Sequence, residues 1–536
     1  MMFEEIRNSF FDYKNLLFES KKYLLVYLIF ITITGLSTIS KKNILYPKLE
    51  IVTFILAAFL GIICILYYFK HNSEEELYKV AFVSILCFGM ICALLVPICG
   101  VSDELEHLTR SEITSEGVIF PHWTGYDIGV DSLYNHTEHE KTSSVINEGA
   151  GYRTIGSMGF FESVYDEEVT VQATPYDKDK INYTPMIQNS AFEQNPFYGY
   201  LPQAIGILIA KFLDLNVIWI LWLGRMCNLI FYASLVSLAI KKVPYLKIPL
   251  LSVACIPVAI CQAASTSIDS MIFGLGILAI AYFIYLCHLE DDSIDIKEIG
   301  IFSIICLLLG LCKLPYLAFV FLLLFIPSNK LKKDKNMWLY ILLCIFAVGI
   351  IGVIWSSFST NTLAHSWRSK YNLINSTQQL SLLYNQPSFI LEFLNKIFGE
   401  EAITMIFGFF NFYGSDKASY TDHYTLITTL IQIFLIFTLI LYPTKAKFGL
   451  KTKIGALIVL LMVYVGTDFI QLLTWARVGR TNLGTSLRYF IPLIGLIPII
   501  LHTNKIKADK RIDNYSIVII IGFMAALILA FATKYY

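Results

Sequence analysis

This sequence predicts an all-α polytopic membrane protein, a helical bundle of about thirteen transmembrane helices with a large first outer loop. Three observations carry the prediction. Of the 536 residues, 56% are hydrophobic and only 15% charged, against about a quarter charged in a soluble domain. Apolar runs long enough to cross a hydrocarbon core of about 30 Å recur in both halves of the chain. Between two of these runs, residues 100–198 are polar throughout, a segment too long for a simple turn.

The apolar runs place spans at 22–39, 51–69, 79–99, 215–240, 247–263, 268–287, 298–311, 314–327, 337–356, 426–442, 454–474, 486–502 and 515–533. The pair 298–311 and 314–327 is too short for two ordinary vertical crossings, so one or both are expected to tuck against neighbours. The first 20 residues are polar and mixed, and no small-residue cleavage site follows 22–39, so no removable signal peptide is expected. Residues 200–213 read as a short helix lying in the interface or re-entering, and 386–398 as another candidate, with Phe389, Leu391, Phe393, Leu394 and Ile397 toward lipid or core.

Orientation follows from lysine and arginine in the short loops. Lys241, Lys242 and Lys247, then Lys330, Lys332, Lys333 and Lys335, then Lys445, Lys447, Lys451 and Lys453, then Lys505, Lys507, Lys510 and Arg511 fall on one side if the spans alternate. That side is expected to be cytoplasmic, with the N-terminus inside and Tyr535 and Tyr536 outside; Lys41, Lys42 and Lys48 run against the rule. The expected location is the bacterial cytoplasmic membrane. The chain divides into 1–78, an N-terminal segment with a helical hairpin; 79–99, the first core helix; 100–198, the large outer loop; and 199–536, the remaining bundle with a second outer loop at 357–425.

The 41 basic and 41 acidic side chains cancel, so their distribution carries the information. No nucleic-acid partner is expected. All 11 cysteines lie in or beside apolar segments, among them Cys64, Cys87, Cys255 and Cys306, and none lies in 101–198 or 357–425. The outer loops therefore have no disulfide staple and no cysteine-based metal site. Residues 100–198 predict a small irregular lobe, with alternation over Glu168–Ala173 suggesting a strand. No internal repeat, phosphate-binding glycine loop or zinc motif is present.

The residues that stand out chemically gather on the outer face. Asp103-Glu104-Leu105-Glu106-His107 follows directly on the span 79–99. Carboxylates fixed at a membrane surface suit general-base work on something arriving through the membrane; the plain alternative is a helix end facing water. Asp103 and His107 share one side if the segment is helical. Ser265-Thr266-Ser267-Ile268-Asp269 opens the span at 268, with Ser267 as N-cap and Asp269 in the first turn. Arg225 and Asn228 lie one helical turn apart inside a span, where a cation usually faces the bundle interior and a partner. Lys313 separates two apolar runs, and Pro315, beside Tyr316, starts the second. Arg477, Arg480 and Arg488 form a positive cluster able to hold phosphate, or else pair with Asp468 or lipid headgroups.

Taken in order, these blocks resemble a family of bacterial membrane proteins catalogued as domain of unknown function 2142. The resemblance rests on Val96-Pro97 through Asp103-Glu104-x-x-His107, Tyr198-x-Tyr200-Leu201-Pro202-Gln203, Arg225-x-x-Asn228, Gln262-Ala263-Ala264-Ser265-x-Ser267-x-Asp269, Lys313-x-Pro315-Tyr316 and Arg488-Tyr489-Phe490-x-Pro492. Ser102 stands where the family usually has proline, and Leu487 where it often has glycine. The match spans about 79–500 and leaves 1–70 as an added hairpin. With that hairpin set aside, the arrangement is similar to that of GT-C glycosyltransferases, in which an acidic residue opens the first outer loop.

The resemblance implies transfer of a sugar from a polyprenyl-phosphate-linked donor to a cell-surface glycan at the outer membrane surface, with membrane lipid as surroundings. It implies catalytic roles for Asp103, Glu104 and His107. It implies substrate or phosphate binding by Tyr200, Gln203, Arg225, Asn228, Ser265, Ser267, Asp269, Lys313, Tyr316, Arg477, Arg480, Arg488 and Tyr489. No cofactor is fixed by it, and a divalent metal is one option. Asp103, Glu104 and His107 are competent ligands for a divalent metal, but their spacing does not demand one. The rival readings are a flippase or transporter of lipid-linked oligosaccharide, and a glycan polymerase or ligase. Charges gathered at one surface, with no evident repeat, favour the enzyme over the transporter.

Overall fold

A computed structural model describes residues 2–39, 48–71, 73–122, 151–164, 169–170, 178–188, 190, 192–334, 336–364, 374–400, 425–481, 483–501 and 509–536. Among the described residues, seven helices are long and apolar enough to cross a bilayer. They are α2 (Lys48–Lys70), α3 (Leu77–Leu95), α7 (Ile218–Lys242), α10 (Asp269–His288), α12 (Met337–Ala364), α16 (Leu450–Thr474) and α19 (Lys510–Tyr535). Ahead of them, α1 (Met2–Ile39) packs with α2 against α19. The all-α polytopic class is thus seen, while several of the expected thirteen spans have a different form.

Proline is the main physical reason. The expected span 247–263 is broken into α8 (Lys247–Ala254) and α9 (Pro257–Ala263). Pro257 has no N–H to give, and Ile256 before it is extended at ψ 134°. The expected span 486–502 is a 3-10 turn (Leu487–Phe490) followed by α17 (Ile491–Ile494) and α18 (Ile497–Leu501), with Pro492 and Pro498 in the two short helices. The short pair at 298–327 becomes α11 (Ile296–Cys312) and a 12-residue 3-10 helix, Leu314–Phe325. At about 2 Å rise per residue this tight helix reaches further than an α-helix of equal length. It packs against α11 and α16. The span expected at 426–442 is α15 (Thr425–Ile436) ending in a π turn, Phe437–Leu441.

A lobe follows α3. Its described part holds α4 (Glu104–Ser115), an antiparallel pair of β1 (Tyr152–Ile155) and β2 (Pro185–Gln188) in register Tyr152 with Gln188, and α5 (Met158–Ser163). The strand expected over Glu168–Ala173 lies mostly outside the described residues. Every residue of α4 is buried. It shares a separate apolar cluster, including Leu105, Leu108, Ile155, Phe161, Ile207 and Leu221, with the lobe, α6 (Leu201–Phe212) and the start of α7. The helix α6 forms within 200–213, where a helix is expected, and has one exposed and one buried face. Ile205, Leu208 and Phe212 are exposed, and Gln203, Ala204 and Ile207 are buried. It lies so close to α7 that a Cβ at Gly206 would fall 2.1 Å from the Leu223 carbonyl oxygen. The other expected short helix, 386–398, is α14 (Pro387–Asn395) running into a π turn, Lys396–Glu400; it follows α13 (Ser376–Asn385), and its Phe389 and Phe393 turn inward and Leu391 outward.

Candidate functional site

The site is built on the sharp exit from α3. Beyond Val96 and Pro97 the backbone turns through Cys99 (φ 51°) and Asp103 (φ 62°), both left-handed. Aspartate tolerates that region better than most residues. The turn is held from behind by Arg225 of α7. Its guanidinium donates to the carbonyls of Ala93 (2.8 Å), Val96 (2.9 Å) and Pro97 (2.7 Å). Ala93 and Val96 are acceptors at the end of the helix, and Pro97 also accepts the Gly100 N–H at 3.0 Å. The same guanidinium grips Glu104 through Nε to Oε1 at 2.8 Å and a terminal nitrogen to Oε2 at 2.6 Å. Both side chains are 0% exposed. Glu104 Oε1 also accepts the Thr266 N–H at 3.1 Å, which ties the turn to the start of α10.

The polar residues around 262–270 belong to the same scaffold. Asn228 donates to the carbonyls of Ser265 (2.7 Å) and Ser267 (3.1 Å), and accepts from the Ser270 hydroxyl at 2.6 Å. Gln203 donates to the carbonyls of Thr266 and Ser267 at 3.3 and 3.4 Å. Ser265 and Ser267 use their hydroxyls within this loop: Ser265 Oγ accepts from Ser267 N and Ser267 Oγ from Asp269 N, each at 3.1 Å. The helix begins at Asp269, one residue later than a Ser267 cap sets it. This packing aims Asp269 outward from the positive end of α10.

In front of the scaffold lies a cavity of about 480 Å³. Asp103, His107, Asp269, Lys313, Arg488 and Tyr489 all line it. Arg488 donates from Nε to Asp269 Oδ2 at 2.7 Å and from a terminal nitrogen to Asp103 Oδ2 at 2.8 Å. Lys313 Nζ sits 2.9 Å from the centroid of the Tyr489 ring. Tyr316 fixes Tyr489 by donating to its carbonyl at 2.6 Å. Burial pushes the Lys313 amine down to about 7, with Asp269 the strongest opposing influence.

His107 is set by a second network. Its Nδ1 lies 2.8 Å from the Tyr200 hydroxyl, and Asn195 Nδ2 donates to that same hydroxyl at 3.0 Å. The bond to Tyr200 fixes the orientation of the imidazole, and Asn195 in turn fixes the phenol. Phe192 stacks on the ring at 4.3 Å. Behind it, the buried Glu193 carboxyl is pushed up to about 7 by burial, opposed by the Ser190 hydrogen bond and by Arg110.

Three groups of expected residues thus separate. Asp103, His107, Asp269, Lys313, Arg488 and Tyr489 come together at the cavity. Glu104, Arg225, Asn228, Gln203, Ser265, Ser267, Tyr200 and Tyr316 stand behind it and hold the lining in place. Arg477 and Arg480 are exposed on the loop after α16 and do not line the cavity, so the expected cluster of three arginines is not formed there. Phe192, Asn195, Trp355 and Trp475 line the cavity without any signal in the sequence motifs. Trp475 is seated by Gly484, where φ is +57° and a Cβ would lie 2.7 Å from the indole nitrogen. Among the described residues, no three His, Cys, Asp or Glu side chains converge as a metal-ligand set. Glu104 is committed to Arg225 and His107 Nδ1 to Tyr200, so Asp103, Glu104 and His107 do not form the ligand trio their spacing allowed.

The fold and site define a class: a polytopic helical membrane protein with a charged, carboxylate-bearing cavity where several helices begin and end. The chain belongs to the family described as Predicted membrane protein (DUF2142), which matches residues 86–497. The match begins inside α3 and ends at the first residue of α18, leaving α1, α2 and α19 outside it. No curated protein and no solved structure matches the chain.

Proposed function

We propose that this protein is a GT-C-like membrane glycosyltransferase that moves a sugar from a polyprenyl-phosphate-linked donor to a cell-surface glycan. The observation that supports it is the convergence of two carboxylates and two cations, Asp103, Asp269, Arg488 and Lys313, on one cavity. In this reading the anomeric carbon–oxygen bond to phosphate breaks, and its electron pair leaves with the phosphate. The acceptor oxygen forms the new bond, and its proton passes to Asp103. The carboxylates also stabilise the oxocarbenium-like centre. Lys313 offsets the charge of the departing phosphate, while Arg488 holds the two carboxylates in place. Purified protein in liposomes, given a lipid-linked sugar donor pool and a glycan acceptor, should yield extended glycan.

The flippase reading has one observation in its favour, the interrupted segments 247–263 and 487–501, since transporters use broken helices. Movement of labelled lipid-linked oligosaccharide across the same liposomes, with no change in its length, would support it over transfer.

The proposed orientation places the cavity outside the cytoplasmic membrane of a bacterium. Thr377 and Lys445 are both exposed and lie in loops assigned to opposite sides. In a background without the native cysteines, Thr377→Cys should react with an impermeant thiol reagent in intact cells, and Lys445→Cys only after lysis. The reverse pattern would overturn the orientation.

A further inference from the structure

The two cations of the cavity are held in different ways. Arg488 is committed twice, to Asp269 at 2.7 Å and to Asp103 at 2.8 Å, and its side chain is 3% exposed. A guanidinium gripped by two carboxylates is an internal counter-ion, and the trio carries one net negative charge. An incoming anion meets no spare positive charge there.

Lys313 has no such commitment. Its partner is the face of Tyr489, 2.9 Å from Nζ to the ring centroid, and no carboxylate among the described residues forms an ion pair with it. The residue sits where α11 ends, in an extended conformation at φ −153° and ψ 102°. Pro315 starts the next helix two residues later, and Tyr316 locks the aromatic platform by its bond to the Tyr489 carbonyl. The amine is therefore presented to the cavity by two helix ends and a fixed ring.

We propose that Lys313 is the group that meets the anionic end of a phosphate-bearing ligand, with Arg488 behind it as the fixed counter-ion of Asp103 and Asp269. This rests on the glycosyltransferase reading only for the identity of the ligand as a lipid phosphate. The charged groups that face Lys313 are Asp269 of α10, Asp468 of α16 and Asp103 before α4, which favour its protonation, and Arg488, which opposes it. Burial outweighs them and brings the amine down to about 7. The amine is charged below that value and neutral above it. Anion affinity should therefore be greatest below neutrality and fall as pH rises through about 7, where an ordinary lysine stays charged to about 10.

The test uses the purified full chain in detergent, with farnesyl phosphate and inorganic phosphate as probes, and inorganic sulfate for the pH series because its charge is fixed. Lys313→Met should weaken farnesyl phosphate and inorganic phosphate alike, by about 10- to 100-fold, the scale of a lost charged hydrogen bond. Tighter binding of farnesyl phosphate than of inorganic phosphate identifies a lipid as the source, and equal binding identifies a free anion. Wild-type affinity for sulfate should drop about tenfold or more between pH of about 6 and 8.5, whereas Lys313→Arg, always charged, should show a flat profile. The flat profile decides the matter even if Lys313→Met folds poorly. Unchanged binding by Lys313→Met, or a wild-type pH profile in Lys313→Arg, would overturn the proposal. Absence of sugar transfer beside Lys313-dependent phosphate binding would count against the glycosyltransferase reading alone.

Discussion

Asp103→Asn is expected to lower sugar incorporation into surface glycan by about 10²–10⁴-fold, the usual cost of removing a general base, with normal amounts of protein in the membrane. Asparagine keeps the shape and accepts the left-handed backbone at φ 62°. The side chain is 19% exposed at the cavity wall, so its loss of charge leaves nothing buried and unpaired. Arg488 retains Asp269 at 2.7 Å. Asp269→Asn at matched levels is the necessary companion, because both carboxylates share the same guanidinium. Arg488→Lys should impair turnover in either case, since one ammonium cannot reproduce the fork that sets two carboxylates at once. Near-normal incorporation by Asp103→Asn together with inactive Asp269→Asn would transfer the base to Asp269. Activity in both would remove the carboxylates from the chemistry and leave the flippase reading ahead.

The sequence made the cavity lining partly legible for a definite reason. Asp103, Asp269, Lys313 and Arg488 each sit where an apolar run starts or stops, and alternating lysine-rich loops put those ends on one face. Direction was not legible. Asp103 and Glu104 are neighbours, yet the left-handed backbone at Asp103 (φ 62°), just before α4 begins, sends Asp103 to the cavity and Glu104 to Arg225. Arg477, Arg480 and Arg488 are close in sequence, but Gly479 and Gly484, both at positive φ, turn the loop so that only Arg488 enters the site. The span count failed where hydropathy is blind to backbone hydrogen bonding. Cys255-Ile256-Pro257 is as apolar as its surroundings, and Pro257 still ends the helix. Asn195 and Phe192 lie far from His107 in the chain, and nothing local connects them to it.

The second large effect falls on folding. Glu104→Gln or Arg225→Met alone is expected to destabilise the protein by about 3–5 kcal/mol, because each leaves its partner charged and buried. That is a large part of a typical stability of about 5–15 kcal/mol, so little folded protein should reach the membrane. The pair does more than cancel charge. Arg225 satisfies three carbonyls at the end of α3, and Glu104 accepts the Thr266 N–H that leads into α10. Combining Glu104→Gln with Arg225→Met should therefore recover part of the loss but not all of it, since the Ala93 and Val96 carbonyls lose their Arg225 donor at roughly 1–3 kcal/mol each. Thermal unfolding of the four members of this double-mutant cycle, followed by size-exclusion in detergent, measures the coupling. Partial rescue marks Glu104 as the anchor that positions Asp103. If Glu104→Gln instead unfolds at the wild-type temperature and has lost turnover, Glu104 belongs to the chemistry, and the buried ion pair is not what holds the turn.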